Sequence, residues 1–273
     1  MDIPVRFLPT QTIAPETFVI RQLVGEGLGP TAAAMNSLVI RGQEPVIVDT
    51  GMPINRDTWL EHAFELVDPA DVRWVFLSHD DIDHTGALFE VIERCPSATV
   101  VTNWFSVERI GGEALLPLDR LRLVNPGESF TAGDRTFTAV VPPVFDSPTT
   151  RGLFDSATGV YWAGDAFAVP LPHEVDHVEE LDADFYRESF LAAQRMISPW
   201  HQWLDPVKYQ AHLDEVQALG ASVVVGGHGV ALRGGHITAA YDLLRELPVL
   251  PPADLLGQAE LEALLALLTA VPA

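Results

Sequence analysis

The amino-acid sequence predicts a layered α/β fold in which buried strands alternate with helices. Three observations support this prediction: short apolar runs at 45–51, 73–77 and 99–102, stretches of helical periodicity between them, and a change in the pattern of apolar residues near residue 121. Beyond that residue the apolar pieces become shorter, and turn residues separate them. Because alternating strands and helices pack as layers, the pattern indicates sheets and helices stacked on one another.

The first half of the chain is predicted to supply strands and three helices. Residues 5–24 mix threonine, valine and isoleucine with proline and suit edge strands, and two strands follow at 36–40 and 45–51. Two more strands are predicted at 73–77 and 99–102. Helices are predicted over 58–67, 85–94 and about 105–110; the first has an apolar stripe of Trp59, Leu60, Ala63, Phe64 and Val67.

The second half begins as a β-meander with pieces at 122–124, 128–130 and 136–141. After a polar loop at 145–150 we expect a strand at 159–163, a loop at 170–184, helices at 188–197 and 206–219, a strand at 223–225 and a helix at 237–247. The final segment, 254–268, is predicted to be an amphipathic helix whose leucines must be covered by the domain or by a second subunit, as in a homodimer. These leucines are Leu255, Leu256, Leu261, Leu264, Leu265 and Leu268. Since we find no long linker, we expect residues 1–273 to form a single domain.

Composition narrows the possible functions. The 273 residues include 16 basic and 38 acidic side chains, and the resulting charge of −22 argues against binding to nucleic acid or to an anionic membrane. The N-terminus lacks a signal-peptide pattern, and no run approaches the ~20 apolar residues of a membrane-spanning helix. Cys95 is the single cysteine, which excludes an intramolecular disulfide. We therefore expect a soluble, cytoplasmic protein.

One segment, Ser78–Gly86, is dense in potential metal ligands and directly follows a predicted strand. If the chain turns there, His79 and Asp81 can face one metal position while Asp83 and His84 face a second. An exposed acidic loop with incidental histidines is the alternative, and the density of ligands favours metal binding. At the end of the preceding strand, Asp49 is either a partner that orients a ligand histidine or a turn cap.

Three strand ends, taken together, resemble those of a known family. They carry His79-x-Asp81-x-Asp83-His84, Gly164-Asp165 and Gly227-His228-Gly229, in the order found in the metallo-β-lactamase superfamily. The resemblance implies an αββα sandwich with a dinuclear metal site along one edge. The zinc hydrolases of this superfamily usually have a histidine at the position of Asp81. The flavodiiron proteins and related oxygen-binding diiron proteins place a carboxylate there, and Gly164-Asp165-Ala166-Phe167 is also similar to their sequences.

This resemblance implies a set of ligands. His79, Asp81, Asp146 and a bridging Asp165 would hold one ion, and Asp83, His84, Asp165 and His228 would hold the other. Asp146 stands where those relatives have a histidine; its alternative role is to cap the turn at 147–148. Four carboxylates would neutralise two divalent ions, which favours iron, with zinc or manganese as alternatives. No flavodoxin-like domain follows on this chain, so we expect no bound flavin and a separate reductase.

The sequence leaves three functions open. The favoured one is a diiron protein that binds, reduces or uses dioxygen, nitric oxide or peroxide. The first alternative is a hydrolase of an ester, lactone, thioester or phosphodiester, in which a metal-bound hydroxide attacks and Asp83 accepts a proton. The second is a non-catalytic oxygen sensor. In each case the partner is a small molecule, and His201, flanked by Trp200 and Trp203, is either a catalytic acid or base near the metals or a core residue.

Overall fold

The computed structural model describes residues 3–112, 114–255 and 257–270 and contains two β-sheets packed face to face. A shared apolar core lies between the sheets, with Leu38, Val48 and Phe76 from one and Phe137 and Trp162 from the other. Each sheet carries helices on its outer face, over a second and a third core cluster. The predicted αββα sandwich is therefore confirmed.

The first sheet has seven strands in sequence order: β1 (Val5–Ala14), β2 (Thr17–Val24), β3 (Ala33–Ile40), β4 (Val46–Val48), β5 (Trp74–Phe76), β6 (Thr99–Thr102) and β7 (Leu121–Leu123). Strands β1 to β4 pair antiparallel, and β4 to β7 pair parallel. Strands β4, β5 and β6 are short and almost wholly buried, as expected for strands covered on both faces, whereas the edge strand β7 is largely exposed. Their carboxyl ends lie at one edge of the sheet.

The second sheet has six strands in the order β13 (Leu232–Arg233), β12 (Val223–Val225), β11 (Val160–Trp162), β10 (Gly152–Asp155), β9 (Arg135–Val140) and β8 (Ser129–Ala132). Only β11 and β12 pair parallel. Since parallel strands end at the same edge, the segments that follow β11 and β12 are brought side by side. These segments contain Asp165 and His228.

Helices α1 (Arg56–Leu66), α2 (Ile82–Thr85), α3 (Leu88–Arg94) and α4 (Trp104–Ile110) belong to the first half of the chain. Helices α5 (Ala183–Ile197), α6 (Pro206–Gln217), α7 (Gly235–Leu244) and α8 (Gln258–Ala270) belong to the second half. Helices α1 and α3 bury Trp59, Leu60 and Val91 against the first sheet, and α5 and α7 bury Phe190 and Tyr241 against the second. No helix in the described part of the chain is long and apolar enough to cross a membrane.

The structure corrects four expectations about the positions of strands and helices. Strand β7 joins the first sheet beside β6, so the predicted meander begins only at β8. Strands β10 and β13 were not predicted. Helix α5 begins at Ala183 and not at 188, because the Asp182 carboxylate accepts hydrogen bonds from the first backbone N–H groups. Helix α8 begins at Gln258 and not at 254; Leu255 precedes it and is exposed, whereas Leu256 and the side chains of Leu264 and Leu268 lie outside the described residues.

Candidate metal centre

The loop that follows β5 brings its histidines inward in two steps. After β5 the chain runs through His79 without regular secondary structure, and the short helix α2 then turns His84 back toward the same space. Both imidazoles are buried, with their ring centroids 4.1 Å apart. Gly86 ends this turn against the backbone of residues 51–53, where a Cβ atom would lie 2.3 Å from the Met52 carbonyl carbon. The loop is thus held in place by a backbone contact that only glycine permits.

The Asp165 carboxylate lies between the two histidines and is almost fully buried. Its Oδ2 atom is 3.4 Å from His79 Nε2, and its Oδ1 atom is 2.9 Å from His84 Nε2 and 3.2 Å from His228 Nε2. The two oxygens of one carboxylate therefore face two different groups of side chains. We call these groups the first half and the second half of the centre.

The first half consists of His79, Asp81 and Asp146. Asp81 Oδ2 lies 3.8 Å and Asp146 Oδ1 lies 4.0 Å from His79 Nε2, and one potential ligand atom from each residue falls within 4.8 Å of the others. The Asp146 oxygen also accepts a long hydrogen bond of 3.5 Å from Thr150 Oγ1. Thus Asp146, which the sequence assigned either to the metal or to a turn, contacts both the histidine and the turn.

The second half consists of Asp83, His84 and His228, which again place one ligand atom each within 4.8 Å of the others. Asp83 Oδ2 lies 3.6 Å from His84 Nε2 and 3.4 Å from His228 Nε2. Space for the His84 ring depends on Gly227, since a Cβ atom there would lie 2.6 Å from His84 Cε1. All seven residues predicted as metal ligands are therefore brought together, divided as the resemblance implied.

Hydrogen bonds at the far side of each histidine fix which ring nitrogen faces the centre. His84 Nδ1 donates to Asp49 Oδ2 at 2.8 Å, and His228 Nδ1 donates to the Ala34 carbonyl at 2.9 Å, because both partners can only accept. His79 Nδ1 donates to Ser78 Oγ, which itself donates to Asp49. Each Nε2 atom consequently faces the centre and becomes a ligand once a metal ion displaces any proton it carries.

Three buried polar atoms at the middle of the cluster have no hydrogen-bond partner: His79 Nε2, His84 Nε2 and Asp165 Oδ1. Buried polar atoms are nearly always satisfied, so an unpartnered set that converges on one space needs an explanation. Three imidazole nitrogens and four carboxylates form a donor set suited to two divalent ions. The residues present fit a dinuclear metal centre.

Without metal, the charges of the cluster shift one another's pKa values. Burial alone would lower the pKa of His84, but the Asp165 and Asp49 carboxylates raise it well above its ordinary value. Burial would raise the pKa of Asp165, whereas His84 and His228 hold it well below the usual range. For Asp146, burial and the Asp165 charge together raise the pKa to about 6. Strong perturbation of several adjacent groups is typical of functional sites.

Asp49 connects the two sheets beneath the centre. Its buried carboxylate accepts hydrogen bonds from the Ser78 backbone N–H and hydroxyl at 2.7 Å each, from His84, and from Trp162 Nε1 at 3.1 Å. Trp162 belongs to β11, three residues before Asp165. Of the two roles that the sequence left open for Asp49, the contacts favour orientation of a ligand histidine.

A second polar network holds the segment that carries Asp146. Asp80, the one acid of the first loop that points away from the centre, accepts hydrogen bonds from Thr149 Oγ1 at 2.7 Å and from Arg109. On the other side, Trp200 Nε1 donates to the Phe145 carbonyl, and the two rings lie 4.7 Å apart. Sequence reasoning did not identify these supports, because their partners are distant along the chain.

His201 does not join the metal-facing cluster. Its ring is fully buried, Nδ1 lies 2.8 Å from the Ser198 carbonyl, and Nε2 lies 3.3 Å from the carbonyls of Leu250 and Pro251. These contacts tie the turn after α5 to the segment before α8. The ring therefore has the surroundings of a structural histidine, which corrects the expectation that it acts as an acid or base near the metals.

The fold and the metal-facing cluster together define a class of protein: an αββα sandwich with a two-part centre at the strand ends. The chain belongs to the metallo-beta-lactamase superfamily, whose sequence profile matches residues 31–228. This confirms the family resemblance predicted from the strand ends.

Several curated proteins are similar in sequence to most of this chain. Putative diflavin flavoprotein A 2 from Nostoc sp. (strain PCC 7120) is 27% identical over 240 residues, which cover 82% of this chain and 39% of that protein. The anaerobic nitric oxide reductase flavorubredoxin of Salmonella typhi is 23% identical over 176 residues, covering 61% of this chain and 37% of that protein. This chain thus spans about two fifths of the length of these curated relatives.

Solved structures agree with this assignment of the fold. Rubredoxin oxygen:oxidoreductase from Desulfovibrio gigas superposes with a TM-score of 0.74 at 17% identity, covering 87% of this chain and 61% of the other. A fragment of putative diflavin flavoprotein A 5 from Nostoc sp. PCC 7120 superposes with a TM-score of 0.69 at 18% identity, covering 91% of this chain and 98% of the fragment. The similarity spans both sheets and the helices that cover them.

Proposed function

We propose that this chain binds two iron ions and serves as the metal module of a non-haem oxidoreductase that acts on dioxygen, nitric oxide or peroxide. The observation that carries the proposal is the position of Asp165, whose two oxygens face separate groups of ligands. One carboxylate so placed would hold two ions at bridging distance. A pair of ferrous ions would supply, when bound, two electrons at a time and open positions for these small oxidants, and a reductant would have to restore the ferrous state.

The chain's own residues would divide the remaining tasks. His79 and His84 are held by Ser78 and Asp49 with Nε2 turned inward, so ligand geometry is set before metal binds. Asp81 and Asp146 have side chains 44% and 32% exposed, against 0% for His79. The first half therefore borders solvent, which provides a path for a small oxidant.

The names of the relatives support the choice of reaction. They include a nitric oxide reductase and an oxygen:oxidoreductase, both considerably longer than this chain. We infer that the electrons come from a flavin-bearing or rubredoxin-like electron donor. We also retain a cytoplasmic location and a homodimer as parts of this proposal.

A hydrolase would use the same fold with a different centre. In that alternative Asp83 is a free base beside a metal-bound hydroxide, and the metal is zinc. The Asp83 carboxylate faces the Nε2 atoms of both His84 and His228, a position that supports a ligand role instead. An oxygen sensor would share the diiron centre and differ only in lacking turnover.

The test is metal analysis followed by oxidant mixing. Protein made without a chelating tag is analysed by plasma mass spectrometry, reduced anaerobically and mixed with dioxygen or nitric oxide in a stopped-flow spectrometer. We expect about two irons per chain and repeated oxidation when reductant is resupplied. Zinc with a featureless spectrum would overturn the proposal in favour of the hydrolase, and reversible oxygen binding without consumption would favour the sensor.

A further inference from the structure

A cleft of about 290 Å³, open to solvent along Met196, which is 53% exposed, lies directly beside the second half of the centre, and we call it the cavity. One face of α5 forms a wall, with Ser189, Ala192, Ala193 and Met196 at helical spacing. The opposite wall includes Ala34 and Val169, and His228 lies at the boundary with the centre. An occupant of this cavity would therefore touch the imidazole of a proposed metal ligand.

The walls of the cavity are held in place by a buried side chain. Gln194, on α5, accepts a hydrogen bond from Phe167 N at 3.1 Å and donates one to the Ala168 carbonyl at 2.8 Å. These two bonds fix α5 against the loop that continues from Asp165. His228 is likewise tied by Nδ1 to the Ala34 carbonyl. The cavity is thus preformed, as ligand pockets generally are.

The lining chemistry excludes charged ligands. Of the described residues that line the cavity, only Ser189 and His228 carry a polar side-chain group, and none is an acid, lysine or arginine. The cavity walls are thus uncharged, although the chain as a whole has a net charge of −22. Phosphate or carboxylate groups would find no cation there, and a diatomic gas needs only a small part of the volume.

We propose that this cavity binds a neutral, largely apolar organic molecule of about ten non-hydrogen atoms against the His228 ring. The size follows from the volume, and the neutrality follows from the uncharged walls. Ser189 would provide one hydrogen bond to a single hydroxyl or carbonyl group on the ligand. The proposal goes beyond the proposed function, because it depends on the walls and not on which metal is bound.

Naphthalene, a neutral ten-carbon probe, tests the proposal on the full chain loaded with cobalt(II). Calorimetry should show saturable binding of one naphthalene per chain, and the visible cobalt spectrum should shift because the probe touches His228. Naphthalene-2-sulfonate should bind at least about tenfold more weakly, since the walls offer no cation and the chain's net charge of −22 repels an anion.

Two variants and one control locate the site. Ala193→Phe fills the cavity and should weaken naphthalene binding at least about tenfold, and the smaller Ala192→Val should give an intermediate loss. Glu188→Phe, an equally bulky change on an exposed position of the same helix, should leave binding within about twofold of wild type. Cobalt content and circular dichroism show whether each variant folds. If Ala193→Phe does not fold, the loss of naphthalene binding in Ala192→Val provides the test.

Absence of saturable binding would overturn the proposal, as would equal binding by the sulfonate or equal losses in Ala193→Phe and Glu188→Phe. Because the protein is loaded with cobalt, none of these results depends on the native metal. A chain that lacks the cavity ligand but contains two irons would refute this inference alone. A zinc-containing chain that binds naphthalene would refute only the proposed function.

Discussion

Replacement of Asp49 by asparagine should weaken the second half of the centre more than the first, because Asp49 bonds His84 directly and reaches His79 only through Ser78. The Oδ2 atom of Asp49 accepts hydrogen bonds from His84, Trp162 and the Ser78 hydroxyl, and Oδ1 accepts the Ser78 backbone N–H. In Asp49→Asn the amide keeps most of these bonds only with its oxygen at the Oδ2 position. Its NH₂ group then opposes the Ser78 N–H, so one buried donor loses its acceptor.

The magnitude follows from these contacts. Loss of the charge weakens the remaining bonds, and the unpaired donor adds a desolvation cost, so we expect a loss of about 3–5 kcal/mol in the free energy of unfolding. His84 also loses the carboxylate that makes it a stronger ligand. Changes of this kind typically cost about 10–100-fold in metal affinity, or roughly 1.4–2.7 kcal/mol.

A buried aspartate elsewhere provides the matched control. Asp155 is 2% exposed and binds Arg135, the Ala157 N–H and the Thr158 hydroxyl. Asp155→Asn should destabilise the fold by a similar ~3–5 kcal/mol, because Arg135 is left without its full partner, while metal affinity stays unchanged. Denaturant unfolding measures the free energy of unfolding of both variants.

Competition between the protein and a chromophoric chelator for cobalt(II) measures the metal affinity of both variants. Asp49→Asn should show one binding constant reduced about 10–100-fold and the other reduced less. If both constants stay within about twofold of wild type, Asp49 does not orient His84. If Asp155→Asn loses affinity to the same extent, the effect is general destabilisation and the reasoning is also refuted.

Three further predictions concern the centre. Asp165→Ala removes the carboxylate shared by both halves, and mass spectrometry should find at least one metal equivalent lost; full retention would contradict bridging. Because the pKa of Asp146 is raised to about 6, protons compete with metal at this carboxylate below that pH, and it should contribute about a tenfold loss of first-half affinity per unit as the pH drops further; titration of Asp146→Asn should show weaker binding and a shallower pH dependence, because His79, whose pKa is also raised, still takes up a proton, and an unchanged pH profile in that variant would exclude Asp146 as a ligand. Gly227→Ala places a Cβ atom 2.6 Å from His84 Cε1 and should lower metal affinity at least about tenfold, whereas Gly235→Ala, in open space, should not; equal affinities would show that the His84 position is not critical.

Sequence reasoning located the centre because much of its chemistry is local. Three strand ends carry six of the seven metal-facing residues, and short-range geometry is enough to divide His79 and Asp81 from Asp83 and His84. Asp146 was placed only by its distance from Asp165 in a family pattern. Local patterns therefore predicted which residues converge, and the family resemblance supplied the remaining position.

The supporting contacts lay outside what sequence could predict. Trp162 and Asp49 are 113 residues apart, and no spacing rule relates positions on two different sheets. His201 shows the converse error, since its ring nitrogens face backbone carbonyls that have no side-chain signature. Among the strands, β10 and β13 are four and two residues long, too short to show a clear period.

The two halves of the centre differ in a way that bears on how metals enter and leave. In the second half His84 is bound to a buried carboxylate, and the side chains of Asp83 and His228 are 23% and 20% exposed. In the first half, the side chains of Asp81 and Asp146 are more exposed, at 44% and 32%. Water thus competes more readily for the first position. The ion there should exchange faster, and the second ion should remain bound when only one is present.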